Sequence, residues 1–110
     1  MDLKESDYKV FRKLRVSALE RYCERIVKDV ERLVHTDKAT YHERYLDLWK
    51  LLRNRDKTIA IAFGAPRHSQ AFVQLVNIDA ENLLTEDELN QFSDELRDRI
   101  EGMRTFRKSA

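Results

Sequence analysis

The chain has 110 residues, of which 42% are hydrophobic and 37% charged, with a formal net charge of +1. That length suits one domain over residues 1–110, and the supply of apolar residues excludes a disordered chain. Only two glycines and one proline are present, too few breakers for a sandwich of many short strands, so the composition points to long helices.

Charge is unevenly laid out. Residues 1–78 carry 16 Lys/Arg against 11 Asp/Glu, a net +5, and residues 79–101 carry two against nine, a net −7. The last nine residues add Arg104, Arg107 and Lys108. Such asymmetry supports either head-to-tail contacts between copies or a match between helices of one copy. Cys23 stands alone, which excludes an internal disulfide and suits a reducing, cytoplasmic setting. No apolar run approaches the roughly 20 residues of a membrane span. The N-terminus lacks the order of a secretion signal.

The first element is a helix over about residues 4–34. Val16, Leu19, Cys23, Ile26, Val30 and Leu33 form a seam of 3.5-residue steps, widened by Phe11, Leu14, Tyr22 and Val27. At about 45 Å it exceeds what a compact core of this size needs. One end of it is therefore expected to pack against another chain, with Phe11 and Leu14 as the candidate self-association residues of a homodimer. The competing arrangement folds Leu3, Phe11 and Leu14 under the C-terminal segment near Phe106. Residues 35–38 read as the connection that follows.

The second helix starts at Thr40, which with Glu43 fits a capping box. Its apolar face runs through Tyr45, Leu48, Trp49, Leu52, Ile59 and Phe63. Gly64, suited to a left-handed cap, and Pro66 stop it. Thr58 to Phe63 also alternates with period two, so the alternative to an all-helical chain is an α+β fold with a hairpin over about 58–79. The alanines favour helix. On that reading residues 67–82 form a third helix burying Phe72, Leu75, Val76 and Val73.

Thr85 and Glu88 form a second capping box, with Glu86 and Asp87 in the favourable first turn. Leu89, Phe92, Leu96, Ile100 and Met103 face inward, and Ser93 can cap a fresh start, giving a short helix and then a longer one. The fold class expected is an all-α bundle of four or five helices, with residues 104–110 a basic tail that frays.

Catalytic and metal signatures do not withstand inspection. Asn77, Asp79, Glu81, Asn82, Thr85 and Glu88 imitate the spacing of a calcium-binding loop. The first position is a neutral amide, however, and the glycine of such loops is missing, so a helix junction with acidic caps is the better reading. His35, His42 and His68 are too dispersed for zinc. Cys23 reads as a small core residue, and Asp56 as a partner for Arg55, Lys57 or Arg67. No cofactor, metal or catalytic residue is assigned, and the chain is not expected to be an enzyme.

Two basic stripes remain: Arg21, Arg25, Lys28 and Arg32 on the first helix, and Lys50, Arg53 and Lys57 on the second. With Arg104, Arg107 and Lys108 they are the candidate contacts for a partner protein or for nucleic acid. Interspersed acids weaken the field, so a small regulatory, adaptor or inhibitor-like protein-interaction module is expected. A nucleic-acid binder is the second reading.

Overall fold

The computed structural model describes residues 2–37 and 39–109. Among the described residues there are five helices: α1 (Glu5–Val34), α2 (Tyr41–Phe63), α3 (His68–Ala80), α4 (Glu86–Leu89) and α5 (Asp94–Ser109). No strand occurs among the described residues, so the hairpin alternative at 58–79 is not supported. Helix-favouring alanines at 60 and 62 outweigh the period-two pattern there, and Ala62 is fully buried.

Each boundary has a local cause. Thr40 accepts from the Glu43 N–H at 3.1 Å while the Thr40 N–H donates to the Glu43 carboxylate at 3.3 Å, completing the first capping box. Thr85 and Glu88 complete the second, at 3.1 and 2.8 Å. Gly64 ends α2, yet with φ −61° it does not adopt the left-handed cap expected of it. Glycine is needed there for space, because a Cβ would lie 2.9 Å from the Ala60 carbonyl oxygen. The free carbonyls at that helix end are met by Arg15, which donates to Phe63 O at 2.8 Å and Gly64 O at 3.0 Å, and by Gln74, at 3.1 Å from Gly64 O. After α3 the chain turns at Asn82, whose φ of 56° is the left-handed geometry that asparagine tolerates.

The core lies at one end of the long helices. Leu3, Tyr8, Phe11, Leu14, Ala18 and Tyr22 meet Ala62 and Phe63 of α2, Ala71, Leu75 and Ile78 of α3, and Leu83, Leu89, Phe92, Leu96 and Ile100 beyond. Each large aliphatic or aromatic side chain here contributes about 1.5–3 kcal/mol by leaving water. Buried Asp7 ties the first turn of α1 to the start of α5, accepting from the Ser93 N–H at 2.8 Å and the Ser93 hydroxyl at 2.6 Å. Val73, expected in the core, is instead half exposed on the outer side of α3.

From Cys23 to Ile61 no described residue is fully buried. The second half of α1 and most of α2 thus form an antiparallel two-helix hairpin that projects from the core, giving a molecule of 51 × 30 × 23 Å.

Candidate interaction surface

Phe11 and Leu14, taken from sequence as a contact for a second copy, are 1% and 5% exposed and sit inside the core. The assignment is corrected: the N-terminal end of α1 is the covered end, because α3 and α5 fold over it. The end left bare is the C-terminal one.

The basic stripe on α1 is largely used up within the molecule. Arg21 grips Glu88 with two hydrogen bonds, at 2.6 and 3.0 Å, and donates to Leu83 O at 2.7 Å. That guanidinium is the main reason the Glu88 carboxyl is held below its usual range; burial works against the shift, and the Thr85 N–H and hydroxyl add to it. Arg25 reaches the Glu81 carboxylate at 3.3 Å and its carbonyl at 2.9 Å. Lys28 pairs with Glu24 at 3.2 Å, and Arg32 pairs with Asp29. Part of the acidic C-terminal segment is therefore the intramolecular counterpart of this stripe.

The C-terminal residues are committed in the same way. Helix α5 runs through Ser109 rather than fraying from residue 104. Arg104 holds buried Asp79 at 2.6 and 2.9 Å, and Arg107 adds a third contact at 3.3 Å. The Arg104 pKa is pushed further up, chiefly by its hydrogen bond to Asp79. Lys108 is exposed. The segment that imitates a calcium loop has its Asp79, Glu81 and Glu88 carboxylates turned onto Arg104, Arg25 and Arg21 respectively.

The stripe on α2 differs. Lys50, Arg53 and Lys57 have no carboxylate within 4.0 Å among the described residues. The Arg53 guanidinium instead lies 5.0 Å from the centre of the Trp49 ring. Asp56 makes no ion pair with Arg55, Lys57 or Arg67, because Arg55 turns to Asp29 at 3.5 Å.

Beside these cations runs an apolar face. Tyr41, Tyr45, Trp49 and Leu52 are 85%, 62%, 53% and 42% exposed, and their spacing of four, four and three places them on one side of the helix. Trp49, Leu52, Arg53, Asp56, Lys57 and Ala60 line an open groove of about 610 Å³ on the projecting hairpin. No protein-family model, curated protein or solved structure matches the chain. The surface must be read from its own chemistry.

Sequence reasoning named the α2 cations but put Tyr45, Trp49 and Leu52 on a single apolar face with Leu48, Ile59 and Phe63. The signal was present in the apolar positions of α2, which form two stripes rather than one. Leu48, Leu51 and Ala62 share the less exposed side, and Tyr45, Trp49 and Leu52 share another. A helix apolar on two sides needs two covers.

Of the remaining candidates, His68 stacks on Tyr8 with ring centres 3.7 Å apart. His35 and His42 are exposed, and Cys23 is half-buried. Among the described residues, no cluster of three or more metal-ligating side chains forms, and no helix is long and apolar enough to cross a membrane.

Proposed function

We propose that this chain is a non-enzymatic protein-interaction module, regulatory or adaptor-like, that presents the projecting α1–α2 hairpin to a partner protein in the cytoplasm. The observation that carries the reading is the row Tyr41, Tyr45, Trp49 and Leu52, left in water by a chain whose core is complete without it. Using about 150–250 Å² for a whole aromatic side chain, the row exposes on the order of 500 Å². Contiguous apolar patches of a few hundred Å² or more mark interaction sites, and tyrosine and tryptophan are favoured anchors at interfaces.

The nucleic-acid reading draws on ten cations, and six of them (Arg21, Arg25, Lys28, Arg32, Arg104 and Arg107) already have carboxylate partners. Releasing them to phosphate would cost those ion pairs, which favours a protein partner.

The test is a photo-crosslinking amino acid placed at Tyr45, with a second placed at exposed Phe106 as control, in the cell of origin. A discrete protein adduct at position 45 and none at 106 is the expected result. Equal, diffuse labelling at both positions would overturn the assignment of this face.

A further inference from the structure

The unneutralised edge of that same face says what kind of partner it takes; the inference rests on the docking reading above and narrows it. We propose that the α2 groove binds an acidic amphipathic helix of another protein, with apolar side chains between Trp49 and Leu52 and carboxylates on Lys50, Arg53 and Lys57.

Three observations lead there. The first is a contrast within one molecule. Arg21, Arg25, Arg104 and Arg107 each meet an acid of the chain's own 79–101 segment, whereas Lys50, Arg53 and Lys57 meet none. Their steps of three and four put all three along one edge of α2, so a partner running beside the helix can reach them together. Carboxylates are the groups that answer this kind of basic edge elsewhere in the fold, and complementary charge across an interface selects partners and speeds encounter.

The second observation is shape. Tyr45, Trp49, Leu52 and Asp56 step by four, three and four, close to the helical repeat of about 3.6, so they stay in one row along α2. The row covers about 16 Å at 1.5 Å per residue, or three turns, which fits anchors at i, i+3 or i+4, and i+7 on an opposing helix. The groove from Trp49 to Ala60 supplies the recess beside that ridge.

The third concerns the alternatives. A second copy of this chain, paired antiparallel through α2 about a two-fold axis, would set the Arg53 and Lys57 edge against itself. Nucleic acid would find its cations on only about two turns of one helix.

Trp49 is the chain's one tryptophan, so its emission reports on this groove alone. The probes are an 18-residue synthetic helix with leucines at three- and four-residue steps and glutamates on its flanks, the same helix with lysines replacing the glutamates, and 20-nucleotide single-stranded and duplex DNA. The expected result is a blue shift of Trp49 with the glutamate helix, weakened by salt. In K50E/R53E/K57E, whose circular dichroism should match wild type, affinity for that helix falls about tenfold or more and the lysine helix binds instead. The proposal is overturned by no shift with the glutamate helix up to millimolar concentration, or by equal shifts with both peptides in the wild-type chain. Tighter binding of either DNA overturns it in favour of nucleic acid. A shift that grows with protein concentration alone overturns it in favour of a second copy. If the peptides fail while the position-45 crosslink still yields a discrete protein adduct, the docking face stands and only its acidic-helix partner is refuted.

Discussion

Glu88 does three jobs with one carboxylate: it closes the capping box of α4, takes both Arg21 hydrogen bonds, and so fastens α4 to α1. Glu88→Gln keeps the shape but removes the charge that Arg21 needs, and at neutral pH it should cost about 1–3 kcal/mol in urea denaturation. The sign with pH follows from the lowered carboxyl pKa. The stabilisation is full above the unfolded value, about 4.3, and is lost as pH falls through the still lower folded value. The gap between wild type and variant should therefore shrink between neutral pH and pH about 3. A gap constant over that range would mean that the ion pair contributes nothing. The same engagement bears on calcium. With Asp79, Glu81 and Glu88 each held by an arginine, millimolar calcium should leave the melting temperature unchanged. A rise of several degrees that Glu88→Gln abolishes would show that the carboxylates can be released to the metal. Phe11 supplies a third residue-scale test. Phe11→Ser removes a core ring and should cost at least the roughly 3–5 kcal/mol typical of Phe→Ala, seen as a lowered or lost melting transition. A well-folded variant with a changed oligomeric state would restore Phe11 as an interface residue.

At the scale of elements, stability is divided between the core and the hairpin. Thr85→Ala uncaps a helix packed on the core and should lower global stability by about 1 kcal/mol. Thr40→Ala uncaps α2 at its far, solvent-bathed end, where fraying opens no core, so its global effect should stay below about 0.5 kcal/mol. Hydrogen exchange checks the division: amides of residues 25–55 should exchange well before those of 71–78. Equal protection across both would mean that the hairpin is bound into the same cooperative unit. Most element boundaries could be read in the sequence because the chain marks them chemically, with a capping box at each of Thr40 and Thr85, Gly64 with Pro66, and Ser93 opening α5. Which apolar side faces inward could not be read so well. Of the stripe read on α1, Val16 and Val27 are exposed, while Phe11, Leu14 and Tyr22 on its widened side are buried together with Tyr8 and Ala18, which it did not include. Periodicity states that a helix has a covered side; the direction of the cover depends on where α3 and α5 return, which one helix cannot encode.

For the whole molecule, the measure that separates this fold from a compact bundle is its radius of gyration of 16.6 Å, against about 13 Å for a compact chain of this length. Small-angle scattering of the dilute monomer should return the larger value, and a value near the compact one would mean the hairpin folds back. The projection was half legible. The length of α1 announced that part of it would lack cover, but Phe11 and Leu14 placed that part at the wrong end. The reason lies in contacts distant in sequence, such as Asp7 with Ser93, which draw the N-terminal turns under α5. The sequence places the basic residues of each stripe on one helix face, but only three-dimensional pairing distinguishes the stripe that is answered from the one that is not.

The Asp7–Ser93 tie also sets an order of events on the ribosome. Helices α1 and α2 can pair as a hairpin as soon as both emerge, since the contacts between the two need nothing downstream. Leu3 and Asp7, however, are sealed only when Ser93 and Leu96 arrive. At about 5–20 residues per second, the nascent chain spends several seconds with those N-terminal side chains bare. A tail-truncated product ending before α5 would be left in that state permanently, helical but open at its base, and a ready substrate for chaperones and proteases.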